Sequence, residues 1–424
     1  MKKPSIKVLP NGLTVVCVKA ESPSVTVTAL VSTGSRYEEA STSGISHFLE
    51  HLCFKGTEKK SGKEIMRYLD GLGAETNAFT SQELTGYYVK SITKHWKKTL
   101  AVVSDIYLNS TFPKAEMEKE KGVIVGEINM YEDMPTSKVQ DLITTVVFGD
   151  QPLGWSILGP KENIKNMTRE DIVGYHQQQY TASATTIIIA GNIEPKEVYQ
   201  EVAQQFKGMN QGKKGNAKKY TPRTKSSSII IHPRKTDQTH VVMAYEGLGY
   251  RHTDARTLSV ISALLGGGMS SRLFERLRED MGAGYYVHAY TGSFSDTGIF
   301  EIGFGIESNR LEEVVDAVLE EVIKLSHELV DVRELKKTQE YMIGNYLMGL
   351  EGTDALGYFY GKRVALGLPL KTPKEVAQEI KNVTPRDIKR VAKKILTTKK
   401  LKIALVGPHS VDDKKKLVML IKKY

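Results

Sequence analysis

Two stretches of this 424-residue chain repeat one another at a fixed distance, and that repeat limits the fold more than any other feature. Lys165-Asn166-Met167-Thr168-Arg169-Glu170-Asp171-Ile172 is echoed by Lys381-Asn382-Val383-Thr384-Pro385-Arg386-Asp387-Ile388, an offset of 381 − 165 = 216. The apolar run Ile187-Ile188-Ile189-Ala190-Gly191 follows the first copy, and Ile403-Ala404-Leu405-Val406-Gly407 follows the second, 403 − 187 = 216. A helix start and the next strand repeating in one register point to two similar domains of roughly 200 residues. The boundary falls at residues 209–228, rich in Gly, Lys, Asn and Ser and without periodic apolar residues, which read as a linker between domains 1–208 and 229–424. Each half mixes alternating strand patterns (14–31; 228–231 and 240–245) with long amphipathic patterns (95–108 and 114–132; 311–325 and 332–350). The expected class is α+β: two homologous sandwich-like domains, each a mixed or antiparallel sheet covered by helices.

The chemistry concentrates in His47-Phe48-Leu49-Glu50-His51. On a helix, i and i+4 share a face, offset by roughly 40° and one turn. Glu50, three residues after His47, flanks that face. Two neutral imidazoles with a carboxylate beside them suit a catalytic zinc site, in which the nitrogens bind the metal and the carboxylate handles the proton of an activated water. The order H-x-x-E-H is the inverted zinc-peptidase signature. The alternative is a surface helix that happens to carry two histidines. Ser41-Thr42-Ser43 offers N-cap hydroxyls, Ile45, Phe48, Leu49 and Leu52 form an apolar stripe, and Gly56 is an expected C-terminal stop.

The duplication sharpens this reading. At the shifted positions of His47, Glu50 and His51 stand Ala263, Gly266 and Gly267, so the second half has the helix slot without the ligands. Catalytic zinc takes three protein ligands plus water. The third ligand must come from elsewhere; Glu120 and Glu127, seven residues apart on a helical pattern over 117–133, are both candidates by spacing, 127 − 120 = 7.

Bulk properties exclude several classes. A 40% hydrophobic and 25% charged composition is that of a folded globular protein, not a disordered one. No apolar run reaches the ~18 residues of a membrane span. Met1 to Lys7 is basic, but no apolar region follows, which argues against a signal peptide. Only Cys17 and Cys53 occur, too few for a disulfide framework and consistent with a reducing cytoplasm. Cys53, close to His51, is either a reagent-sensitive thiol or a buried inert one. The net charge of +10 comes from dispersed lysines, clustered at 213–225 and beyond 389 without interleaved aromatics or a nucleic-acid motif, so a solvated basic surface is expected rather than nucleic-acid binding. Gly266-Gly267-Gly268-Met269-Ser270-Ser271 lacks a following Gly-Lys-Ser/Thr and reads as a turn between helices, not a phosphate cradle.

Longer segments carry a resemblance: LPNGLTVV (9–16), GSRYE (34–38), GISHFLEHLCFKGT (44–57), NAFTSQELTGYY (77–88), VIVGEINMYEDMP (123–135), PLGWSILG (152–159), LGGGMSSRLFERLRED (265–280) and GAGYYV (282–287). They span nearly the whole chain, which resembles the pitrilysin/insulinase zinc peptidases, in the smaller form similar to bacterial processing-peptidase-like proteins. The resemblance implies one Zn2+ per chain on His47, His51 and Glu127, with Glu50 as general base and Glu120 orienting a ligand histidine. It implies that Asn77, Ala78 and Phe79 form an edge strand receiving an extended peptide. It makes Arg278 and Tyr285 a pair that grips the substrate and stabilises the oxyanion. Large single-chain members put that pair in the half opposite the zinc, closing over a chamber. This chain then corresponds to half of such a clamshell, expected as a homodimer with shared active sites, or as a heterodimer with a metal-free paralogue. The rival functions are a catalytically inactive scaffold and a peptide-binding relative without turnover. Two departures stand out: Gln151 where a histidine often precedes Pro-Leu-Gly, and Gly126 in place of an acidic residue.

Overall fold

The computed structural model describes residues 3–222 and 228–424. The expected linker therefore falls partly on residues 223–227, which lie outside the described residues, as do Met1 and Lys2. By contacts the chain divides into two units, and the division is not linear. The first comprises Met1–Ile128, Trp155–Lys218 and Leu347–Thr372; the second comprises Asn129–Gly154, Lys219–Tyr346 and Pro373–Tyr424.

The first unit is built on six strands: β1 (Ser5–Val8), β2 (Thr14–Lys19), β3 (Ser24–Val31), β4 (Glu75–Thr80), β5 (Thr85–Ile92) and β6 (Thr185–Gly191), in the order β1-β2-β6-β3-β5-β4. The second has five: β7 (Ser228–Pro233), β8 (Gln238–Gly247), β9 (Gly284–Ser293), β10 (Gly298–Glu307) and β11 (Lys402–Gly407), in the order β7-β11-β8-β10-β9. With β1 set aside, the two orders are the same. Each sheet contains one parallel pair, β2 with β6 and β7 with β11, among antiparallel neighbours. The internal repeat is thus a repeat of topology. Its helix starts match as well. Thr168 with Asp171, and Thr384 with Asp387, each close a reciprocal capping box, 384 − 168 = 216.

Every residue of β6 is buried, so both faces of its sheet need cover. One face packs on the helices Ile45–Cys53, Trp96–Leu108, Arg169–Gln179 and Pro195–Gln205 through a core that includes Val27, Phe48, Leu49, Val103 and Ile189. The other face is covered by a helix from far along the chain, Thr353–Ala365. Thr26 Oγ1 meets Thr353 Oγ1 at 2.8 Å, and Ser32 Oγ donates to the Ala365 carbonyl at 3.0 Å. Gly361 makes this approach possible, because a Cβ there would lie 2.6 Å from the Ile188 side chain. The second unit mirrors the arrangement. The helix Pro135–Phe148 lays Val139, Ile143 and Val147 on Val242, Ala244, Ala404 and Val406. Each half of the sequence thus supplies a helix to the sheet built mainly by the other half.

Candidate metal centre

The helix Ile45–Cys53 buries Phe48, Leu49 and Leu52 in the core and presents His47, Glu50 and His51 beside them. Its N-terminus departs from the sequence expectation. No hydroxyl of residues 41–43 caps it. Gly44 is the N-cap in the left-handed region, φ 98°, with no side-chain cap of its own. The free amides are taken by Glu38, whose carboxylate accepts from Gly44 N at 2.8 Å and Ser46 N at 2.9 Å. A carboxylate at the positive end of a helix satisfies orphan donors and complements the dipole, more than a neutral hydroxyl would. Glu38 is 1% exposed, and burial pushes its carboxyl upward against these hydrogen bonds. The helix stops at Cys53, three residues before Gly56.

The second element is the helix Lys114–Asp133, which buries Met117, Glu120, Ile124 and Ile128. It delivers both acidic candidates, and they take different positions. Glu127 Oε2 lies 3.7 Å from His47 Nε2 and 3.7 Å from His51 Nε2. The donor atoms of His47, His51 and Glu127 lie within 4.8 Å of one another. Glu120, 5% exposed, approaches His51 from the other side of the ring, with Oε2 3.1 Å from Nδ1. Its second oxygen pairs with Lys55 Nζ at 2.7 Å. His51 therefore donates at Nδ1 and keeps the Nε2 lone pair toward Glu127 and His47. Burial above all, with the neighbouring His51 ring adding to it, holds His47 down to about 3, so its imidazole stays neutral at ordinary pH.

This donor set suits zinc. Bonds of about 2.1 Å in a tetrahedron separate neighbouring ligand atoms by about 3.4 Å, and both imidazole nitrogens stand a few tenths of an ångström beyond that from one carboxylate oxygen. The ligands are two neutral nitrogens and one anionic oxygen, with a carboxylate behind one histidine, as metal-bound imidazoles generally require.

Glu50 points off the same helix. Its Oε2 accepts from Thr80 Oγ1 at 2.6 Å. Burial raises its carboxyl above the usual range and Glu127 adds to that, while the Thr80 hydrogen bond and His51 oppose it. Thr80 ends β4, the outermost strand of its sheet, whose Glu75–Thr80 backbone pairs with β5 alone. Asn77 is exposed and its Oδ1 accepts from Ala78 N. Ala78 packs on the core, and Phe79 meets the Tyr358 ring edge-on at 5.4 Å.

Arg278 and Tyr285 belong to the second unit, and both sit on irregular backbone. Arg278 lies in a π-helical turn, Glu275–Asp280, with its guanidinium 5.2 Å from the Phe274 ring centre. Tyr285 is skipped by the pairing of β9 with β10: Gly305 faces Tyr286, Ile306 faces Gly284, and the extra residue bulges. It is 51% exposed. π-Turns and bulges re-aim side chains and concentrate at functional sites.

Three residues escaped the sequence reading: Glu38, Thr80 and Lys55. All lie inside the segments quoted for the resemblance, but nothing in their spacing marks a partner far away in sequence. Gln151 uses its side chain on the backbone of Thr221, accepting from its N and donating to its carbonyl, each at 3.1 Å. Cys53 is buried and pushed up to about 12 by that burial, an inert thiol.

The chain is also similar to known proteins along most of its length. The profile described as "Insulinase (Peptidase family M16)" matches residues 14–161, and the one described as "Peptidase M16 inactive domain" matches residues 166–342. A Bacillus subtilis relative, "Uncharacterized zinc protease YmxG", is 34% identical over 91% of this chain and 93% of its own. The "Probable mitochondrial-processing peptidase subunit beta" of Schizosaccharomyces pombe is 29% identical over 96% of this chain and 92% of its own. A solved Helicobacter pylori protease shares the fold with a TM-score of 0.88 at 23% identity, covering 96% of this chain and 100% of that one.

Proposed function

Because this chain belongs to the insulinase (M16) peptidase family, we propose that it is a zinc-dependent endopeptidase for short or unfolded peptides, with Glu50 as general base. The observation that carries the reading is the convergence of His47 Nε2, His51 Nε2 and Glu127 on one point, with Glu50 on the same helix face. Those three side chains would hold one Zn2+ per chain. When bound, zinc supplies Lewis acidity, polarising the scissile carbonyl and lowering the pKa of water toward about 7. Glu50 takes the proton of the attacking water and returns it to the leaving amine. The exposed edge of β4, at Asn77, Ala78 and Phe79, takes an extended peptide by main-chain hydrogen bonds. Glu120 keeps His51 in the tautomer that leaves Nε2 free. Arg278 grips the carbonyl next to the cut, and Tyr285 donates to the developing oxyanion.

We assign the working assembly to a homodimer in which each active site draws Arg278 and Tyr285 from the other copy; a heterodimer with a metal-free paralogue is the alternative. The two buried, unpaired thiols suit a reducing cytoplasm. Among the described residues no helix is long and apolar enough to cross a membrane. A second reading, a scaffold or peptide-capturing relative without turnover, draws on the words "inactive domain" for residues 166–342, a stretch that contains none of the three ligand residues. The test is mass spectrometry of a mixed peptide library incubated with zinc-loaded protein, with and without chelator. Chelator-sensitive fragments support the peptidase, and intact peptides that co-purify with the protein support capture.

A further inference from the structure

A general base must aim one carboxylate oxygen, and the terminal torsion of glutamate has no sharp preference of its own. In this chain that torsion is set from outside the helix. Thr80 Oγ1 donates to Glu50 Oε2 at 2.6 Å, which leaves Oε1 free. Thr80 is a β-branched residue with restricted χ1, so its hydroxyl is a stiff anchor.

The backbone behind the anchor is held too. Residues 81–84 form the turn between β4 and β5, closed by Ser81 N to Leu84 O at 2.8 Å and Leu84 N to Ser81 Oγ at 3.1 Å. Residues 34–38 bind this turn. Ser35 N donates to Ser81 O at 3.2 Å, Arg36 N to Gln82 O at 2.9 Å, and Arg36 Nη1 to Glu83 Oε1 at 2.7 Å, an ion pair with side chains 1% and 6% exposed. Two residues on, Glu38 caps the helix that carries Glu50. One short segment is thus bonded both to the turn that ends β4 and to the head of the metal helix. The separation of Thr80 from Glu50 is set by that frame.

We propose that Thr80 is a positioning residue for Glu50: its hydroxyl occupies Oε2 and orients Oε1 for proton transfer, an inference that rests on the peptidase reading above. β4 then carries both the substrate-pairing edge and, at its last residue, the group that orients the base.

The test compares Thr80→Val, which keeps the shape and removes the donor, with Thr80→Ser, which keeps the donor. Both are also made in a Glu50→Gln background. Each zinc-loaded protein is assayed on a quenched fluorogenic peptide and crystallised. Thr80→Val is expected to lower kcat by about 10- to 100-fold, as misplacement of a catalytic group does, with KM and zinc content unchanged. Thr80→Ser is expected to restore most of the rate. In the Glu50→Gln background Thr80→Val is expected to cost nothing further, and its crystals in the parent background should show the Glu50 carboxylate rotated. Equal kcat in Thr80→Val and parent, equal losses in Val and Ser variants, or an unmoved Glu50 carboxylate would overturn the proposal. If the zinc-loaded parent cleaves no peptide, the peptidase reading falls, and the Glu50 conformation in the variant crystals still decides the role of Thr80.

Discussion

Glu120 stands 3.1 Å from His51 Nδ1, and that contact decides which nitrogen of His51 remains free to bind. Lys55 in turn holds Glu120 at 2.7 Å, so the acid is buried with both oxygens engaged. Glu120→Gln weakens the acceptor and frees the ring to choose the other tautomer. Its zinc affinity is expected to drop by about 10- to 100-fold, read by competition with a chelator of known affinity. An unchanged affinity would remove the orienting role.

Glu50→Gln keeps the shape of the base and removes its ability to take a proton. Turnover is expected to fall by about 10²- to 10⁴-fold, while zinc content stays at the parent level by elemental analysis. Equal rates in variant and parent would end the mechanism.

Glu38→Ala leaves the amides of Gly44 and Ser46 without their acceptor in a buried setting. A loss of about 2–4 kcal/mol is expected, the cost of two stranded donors, measured by denaturant unfolding of the metal-free protein. Glu38→Gln, which still offers one acceptor oxygen, should cost less. If Ala and Gln variants unfold alike, the cap contributes little.

His176 gives a pH dependence away from the metal. Burial holds its imidazole below the ordinary 6.5, partly opposed by its hydrogen bond to the Tyr107 carbonyl. The unfolded chain then binds the proton first as pH falls. The stability this residue contributes is complete above about 6.5 and is lost progressively below it. Unfolding at pH 7, 6 and 5 should show the decline, and His176→Gln should flatten part of it. Parallel slopes in both proteins would count against the residue.

Tyr285→Phe removes the phenol from the bulge in β9. A fall in kcat of about 10²-fold is expected for loss of an oxyanion donor, with zinc content and unfolding temperature intact. Mixing the impaired Glu50→Gln protein with the impaired Tyr285→Phe protein tests the shared site. Hybrid dimers with one complete site should recover activity, and a mixture that stays impaired speaks against sharing.

The repeat, the H-x-x-E-H helix and the class of the fold were readable along the chain because each is local: a fixed offset, a helical period, an alternating strand. Glu120 and Glu127 could be seen as candidates by their spacing but not told apart, since both lie on one face of one helix. Only the packing of that helix against the helix of His47 and His51 puts Glu127 between two Nε2 atoms and Glu120 behind one Nδ1.

The chain by itself determined which residues could bind metal and that one half alone carries them, because ligand type and helical period are written in consecutive residues. The tertiary structure decided what holds those ligands. Glu38 rather than a neighbouring hydroxyl caps their helix, Thr80 from the edge strand holds Glu50, and a helix from residues 353–365 closes the sheet beneath. Each of these is a contact between segments distant in sequence, made because buried donors need acceptors and an apolar sheet needs cover on both faces, and no local pattern states which distant residue will supply them.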